Sequence, residues 1–405
     1  MSEKRRDSKG RILRTGESQR PDGRYAYKYN DASGKPQFVY SWRLEPGDRL
    51  PQGKREGPSL REKEKQIKRD LEDGVNPRGG EMTVMELVEK YLRQKQGLQP
   101  NTDRSHDFSI KIIRQSGFGD RRIDKIKLSD AKEWFIQLQE SGKPDGTGYS
   151  RGSIKGVRGI LRPAFRMAVD DDLIRKNPFD FALGDVLVND AETREALTAE
   201  QERAYLAFVK QDKYYSRFYD AIYALFHTGL RISEFAGLTV ADVDLEKQEI
   251  TVDHQLLRDR KTGYYISDTK TAGGVRKVPM TDDVCACFRR LIANRPVLKV
   301  EPIIDGKCGF LFVGRDRMPL TGVQWAWIFG FIWKKYMESG TVPMPKVTPH
   351  VCRHTFCTNM AKSGINPKAL QYIMGHSNIA VTLNTYTHMG FTDANREFRR
   401  VMEGK

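Results

Sequence analysis

The chain has 405 residues, with 69 Lys and Arg against 53 Asp and Glu and a formal net charge of +16. That length predicts two to four domains, and the positive excess favours a polyanion as partner, either nucleic acid or an anionic membrane surface. No run of about 18 apolar residues exists, so a membrane span is excluded. The start Met1-Ser2-Glu3-Lys4-Arg5-Arg6 lacks the apolar segment of a secretory signal, and the five cysteines, odd in number and without C-x-x-C spacing, read as reduced thiols of a cytoplasmic protein.

Residues 1–73 read as a small independent domain. Tyr25, Tyr27 and Tyr29 alternate with Arg24, Lys28 and Asn30 flanking the other face. After the turn Asp31-Ala32-Ser33-Gly34, Phe38, Tyr40 and Trp42 alternate in a second strand. Arg11-Ile12-Leu13-Arg14 is expected to add a third. A helix follows from Leu60 to Leu71, with Leu60, Ile67 and Leu71 on one side. A sheet packed on a helix with a solvated polar face accounts for this pattern. So does a sheet inserted into a DNA major groove, with Arg24 and Lys28 near bases or phosphates. The basic character of the rest of the chain favours the second.

Gly74 to Gly80 has the composition of a linker, and residues 81–180 read as an all-α domain of four helices. Thr83 caps the first, which carries Val84, Leu87, Val88, Tyr91 and Leu92. The second carries Phe108, Ile112 and Ile113, and the third runs from Ser129 through Trp134, Phe135 and Leu138. The fourth spans Ser150 to Val169. In it Arg151, Lys155, Arg158, Arg162 and Arg166 form one basic stripe at 3.6 residues per turn, while Ile154, Val157, Leu161, Ala164 and Ala168 form an apolar one. No acid lies between 151 and 169, so a polyanion beside the helix is the natural compensation for the repulsion. Pro163 is expected to kink or split this helix. Phe181 to Glu195 reads as a second, acidic linker.

The last and largest domain spans 195–405. Tyr214 to His227 reads as a core helix, and Gly229 turns the chain sharply into another. Glu249–Leu257, Tyr264–Ser267 and Val275–Met280 are expected to form a three-stranded antiparallel meander with Lys270 near one tip. Val323 to Tyr336 is an aromatic helix, core or interface. Thr348-Pro349 caps and starts a helix that places His350 and Arg353 on one face. Asn366-Pro367 starts a second and Gly375 ends it. His376 follows, then Tyr386 on a third short helix, and residues 393–402 read as a basic C-terminal helix. A zinc site of Cys352, His354 and Cys357 is conceivable, but its spacing matches no common finger.

Five elements occur in this order: Gly229-Leu230-Arg231-Ile232-Ser233-Glu234, Lys270 in a β-turn, His350-x-x-Arg353, Leu370 to Ser377 around Gly375-His376, and Tyr386-Thr387-His388. Together they resemble the tyrosine recombinase (phage integrase) family over residues 195–405. The two preceding domains resemble those of conjugative-transposon integrases, which read two kinds of DNA site. The resemblance implies a multidomain α+β protein: an arm-type DNA-binding domain of a three-stranded sheet and helix, a helical core-binding domain, and a mainly α catalytic domain with a small antiparallel sheet. It implies Arg231, Lys270, His350, Arg353, His376 and Tyr386 as catalytic residues, and a covalent 3′-phosphotyrosine that keeps the bond energy, so that no cofactor, metal or ATP is needed.

The residue types suit that chemistry. Cations must surround the non-bridging oxygens of a phosphodiester, and the arginine fork of Arg231 and Arg353 meets two at once. Tyrosine ionises only near pH 10, so either nearby cations favour its charged form or an imidazole accepts its proton; His350 is the first choice for that role, and His376 suits a phosphate contact. Lys270 can protonate the leaving 5′-oxygen, and Glu234 can brace an arginine or a helix start. One tyrosine per chain and four strand cuts imply four protomers, with the tail from 393 onward docking on a neighbour. An excisionase and a host DNA-bending protein are further expected partners, and a membrane is not. A type IB topoisomerase shares the nucleophile, an architectural DNA-binding protein would share the basic stripe, and a metal nuclease would need acidic ligands that the sequence does not offer.

Overall fold

The computed structural model describes residues 5–31, 34–72, 81–95, 100–190, 195–259, 262–268, 274–339 and 342–386, with residues 395, 398, 399 and 402 beyond. It divides into two compact units, Met1–Glu192 and Thr193–Lys405.

In the first unit, β1 (Glu17–Gln19), β2 (Tyr25–Asn30) and β3 (Pro36–Ser41) form an antiparallel sheet in that order. The buried rings of Tyr25, Tyr27 and Tyr29 pack on Leu44 and on Leu60 and Ile67 of α1 (Leu60–Glu72). The third strand is therefore Glu17–Gln19, not the expected Arg11–Arg14. Asp7 accepts from the backbone N–H of Lys9 and of Arg11, which curls that segment into a turn, and Ile12 makes only an isolated bridge to Arg6. Glu17 is instead held in the core by Arg61, 2.9 Å away.

Four helices follow: α2 (Val84–Arg93), α3 (Pro100–Gln115), α4 (Leu128–Ser141) and α5 (Arg151–Asp170). Thr83 forms a full capping box with Glu86, and the Ser150 hydroxyl accepts from the N–H of Ser153. The apolar stripe of α5 is entirely buried, joined by Ile160 and Phe165. Pro163 does not split α5, which runs through it as one helix. The residue four positions back is the exposed Gly159, so the carbonyl that loses its N–H partner is open to water. The expected linker from Phe181 also begins late. Phe181, Leu183, Val186 and Leu187 pack on the helical core, Arg158 holds the carbonyls of Phe179 and Phe181, and Gln139 pins both backbone groups of Val188.

The second unit contains α6 (Ala199–Gln211), α7 (Tyr219–Thr228), α8 (Ile232–Gly237), β4 (Val243–Asp244), β5 (Glu249–Val252), β6 (His254–Asp259), β7 (Gly263–Asp268) and β8 (Arg276–Pro279), then α9 (Asp282–Ala293), α10 (Gly322–Ser339), α11 (Pro349–Lys362), α12 (Pro367–Met374) and α13 (Ile379–Tyr386). The strands do not form a single meander. The sheet order is β4-β5-β8, and among the described residues β6 pairs only with β7. The expected strand from Glu249 breaks at Asp253, because the buried His254 bonds the Gly237 carbonyl through Nε2, at 2.8 Å, and Asp253 through Nδ1. That draws β6 onto α8, where a Cβ on Gly237 would stand 3.0 Å from the Leu256 nitrogen.

The core of this unit gathers Tyr205, Phe226, Phe235, Phe288, Trp325 and Phe329. The aromatic helix α10 thus buries Trp325, Phe329, Ile332 and Tyr336, and exposes Val323, Trp327 and Phe331. Among the described residues no helix is long and apolar enough to cross a membrane. Lys270, His388 and most of the expected helix 393–402 lie outside the described residues.

Candidate active site and nucleic-acid interface

The site is built on the end of α12. Asn366 caps its start, with Pro367 in the first turn, and Gly375 ends it at φ 61°. A helix leaves its last carbonyls without intrahelical partners and its C-terminal end partly negative. Here three consecutive carbonyls each receive a different arginine. Arg276 Nε donates to Ile373 O at 2.7 Å, Arg353 Nη2 to Met374 O at 2.5 Å, and Arg231 Nη2 to Gly375 O at 2.6 Å.

Each fork is fixed a second time. Arg353 Nη1 donates to Gly229 O at 2.6 Å. Arg231 Nη1 meets Glu234 Oε1 at 2.6 Å, while its backbone N–H donates to Glu234 Oε2 at 2.9 Å. Glu234 thus braces both an arginine and the start of α8. Gly229 makes this approach possible at φ 64°, where a Cβ would stand 2.5 Å from Phe356 Cδ1. Gly229→Ala should destabilise the fold by about 2–4 kcal/mol, the sum of left-handed strain and overpacking. Denaturant unfolding measures it, and a loss under about 1 kcal/mol would mean that the turn relaxes freely.

Arg231, His350, Arg353 and His376 line one cleft of about 340 Å³, together with Ser233. His350 is exposed and Arg353 buried. Burial, then the neighbouring Arg231 and Arg276, pull Arg353 down to about 9, so it stays charged at neutral pH and gains from an arriving anion. Burial, then Arg353, Arg231 and Arg276, lower His376 to about 4. Its Nδ1 lies 2.9 Å from Thr382 Oγ1. A neutral imidazole whose Nδ1 accepts from that hydroxyl presents Nε2–H as a donor.

In the free protein His376 is therefore expected to titrate near 4 rather than 6.5. The lowered value means that the unfolded chain takes the proton first. Stability is lost as pH falls from 6.5 and the loss is complete below about 4. Following the ring protons by NMR checks this, and a midpoint near 6.5 would contradict it.

Tyr386 is not among the cleft's lining residues. Its hydroxyl donates to Ile365 O at 2.7 Å, and its ring packs beside Phe356, Cys357 and Met374. Burial, then Cys357, raises its pKa, so the phenol here is less nucleophilic than in water. Sequence reasoning missed Arg276, a cation at the start of a short strand with no motif around it. Among the described residues Asp242, Asp253 and His254 have metal-ligand spacing, but Asp242 caps Thr239 and His254 is bonded through both nitrogens. Cys352 and Cys357 are buried, which pushes both thiols up and disfavours the thiolate that a zinc site needs.

On the first unit, Lys28 stands on the exposed sheet face opposite Phe38, and Ala26 stands opposite Tyr40. Phe38 and Tyr40 are 42% and 36% exposed. Arg20 and Arg24 lie over the Tyr40 ring, and Arg24 and Lys54 over Trp42. Aromatic rings outward and interleaved with cations are suited to stacking and phosphate contact. Arg24 also pairs with Asp22 at 2.6 Å. The α5 stripe is less uniform than its sequence. Arg162 pairs with Asp180, Arg166 with Asp170, and Arg158 is half-buried against backbone carbonyls. Lys155 is exposed and Arg151 half-exposed.

Residues 1–71 match the family described as the DNA binding domain of tn916 integrase, and residues 195–392 match the phage integrase family. The chain is 48% identical to the transposase from transposon Tn916 of Enterococcus faecalis, over 100% of this chain and 98% of that one. The same identity and coverage hold for the transposase from transposon Tn1545 of Streptococcus pneumoniae. The Tn1549 transposon integrase, solved in complex with a circular intermediate DNA, is 46% identical with a TM-score of 0.74, covering 79% of this chain and 99% of that one. This chain belongs to the phage integrase family and is a tyrosine recombinase, a DNA strand transferase.

Proposed function

We propose that this recombinase integrates and excises a mobile element of the conjugative-transposon kind. The observation that carries the reading is the cleft where Arg231, His350, Arg353 and His376 meet. A scissile phosphate seated there takes the N–H groups of Arg231 and Arg353 that the carbonyls leave unused, and the Nε2–H of His376. Tyr386 leaves Ile365 and attacks phosphorus. The bond from phosphorus to the 5′-oxygen breaks, His350 accepts the phenolic proton, and Lys270 protonates the leaving 5′-oxygen. The 3′-phosphotyrosine is then attacked by the 5′-hydroxyl of another strand, which reverses each step and seals the DNA without ATP.

Residues 195–405 would carry this chemistry. Residues 81–180 would hold the core-type site through Arg151, Lys155, Arg158, Arg162 and Arg166, and residues 1–73 would read an arm-type site through Arg24 and Lys28. Four strand cuts with one tyrosine per chain call for a tetramer on DNA, joined through the tail beyond 393. A small excisionase and a host DNA-bending protein would set direction, within the bacterial cytoplasm and at the nucleoid.

The test is to incubate the protein with nicked, labelled element-end DNA in the absence of metal and ATP. A DNA-linked band on a denaturing gel, with transfer to a second duplex, is the expected result. An adduct without transfer would favour a topoisomerase, and tight binding without an adduct would favour an architectural protein.

A further inference from the structure

Arg276 opens β8, six residues after Lys270 in the sequence. Its side chain is 0% exposed, so it touches no DNA. Besides Ile373 O it donates to Gly274 O at 3.0 Å and to both oxygens of Glu234, at 3.2 and 2.9 Å. Gly375 lies directly on its guanidinium, where a Cβ would stand 2.9 Å from Nη1.

A buried, fully bonded ion pair is costly to assemble and weak evidence for stability alone. Its charge balance gives it a second consequence. Glu234 must hold the Arg231 fork, yet a carboxylate 2.6 Å from a guanidinium cancels much of the charge that a phosphate needs. Arg276 supplies the missing cation. Three guanidiniums (Arg231, Arg276, Arg353) against one carboxylate (Glu234) leave a net +2 beside the cleft. A phosphodiester carries one negative charge and gains more in the transition state.

We infer that Arg276 is a positioning residue for strand cleavage. It neutralises Glu234, so that Glu234 aims Arg231 without silencing it, and it fixes the end of α12 on which Arg231 and Arg353 are set. The inference rests on reading the cleft as the cleavage centre.

Single-turnover adduct formation on nicked DNA, DNA affinity and melting are measured for the wild type, Arg276→Gln, Arg276→Lys and the double variant Arg276→Gln/Glu234→Gln. Arg276→Gln should slow adduct formation about 30-fold, less than the roughly 10²–10³-fold cost of losing a donor that touches the reacting oxygens, with DNA affinity within about threefold because no phosphate contact is removed. The double variant, with carboxylate and guanidinium both gone, should recover about tenfold of that loss, and Arg276→Lys should fall between.

An unchanged rate in Arg276→Gln would overturn the inference. So would a double variant slower than the single one, since losses that add assign a packing role. If Arg276→Gln does not fold, the double variant and Arg276→Lys decide: near-wild-type melting with recovered cleavage in the double supports the inference, and folded but inactive protein in both overturns it. A wild type that forms no adduct would refute the reading of the cleft, and this inference with it.

Discussion

Tyr386→Phe should abolish the covalent protein–DNA adduct while leaving DNA affinity within about twofold, since no backbone-phosphate cation is lost. Only the hydroxyl is removed. The ring stays in its cluster with Phe356, Cys357, Ala361, Leu370 and Met374, so packing is conserved. The cost to the fold is the single hydrogen bond to Ile365 O, about 1 kcal/mol. The melting midpoint should therefore move by a few degrees at most. A persistent adduct would remove Tyr386 from the nucleophile's place. In the resting geometry the hydroxyl donates to Ile365 O and burial raises its pKa, so in the proposed reaction it would have to leave that carbonyl before losing its proton.

Arg353→Lys should lower the adduct rate by about 10²–10³-fold, as for loss of a preorganised oxyanion donor. Charge is kept, so the loss isolates geometry. The Arg353 fork spans Gly229 O and Met374 O at once and still has N–H groups to offer a phosphate. A single ammonium cannot occupy both carbonyls and reach an anion as well. At least one buried carbonyl is left unpaired, which costs about 1–3 kcal/mol, so a lower melting midpoint should accompany the rate loss. Adduct formation within tenfold of wild type would show that charge alone suffices at this position.

Where local rules act, the fold was legible in the sequence. Thr83 and Ser150 cap the helices that they precede, the three tyrosines of β2 face the core, and the apolar stripe of α5 is buried. Two misreadings came from contacts distant in the chain, whereas the Arg11–Arg14 strand was lost to a local turn on Asp7. Asp253 and His254 split a plausible strand because Gly237 lies alongside. Asp180, outside the helix, neutralises part of a stripe that looked purely basic from within. The motif residues Arg231, His350, Arg353 and His376 do share a cleft. Arg276 and the Ile365 carbonyl, which hold Glu234 and the Tyr386 hydroxyl, carry no sequence signature at all.

The arginines converge on a helix of eight residues. So short a helix has almost no stability of its own in water, and its end is held by side chains arriving from α8, β8 and α11. The arginine-held end of α12 therefore depends on contacts from three other elements and has little order without them. A nascent, heated or nicked copy should lose the power to break DNA before its separate N-terminal unit loses structure. For a DNA strand transferase, failure in that order stops strand breakage first.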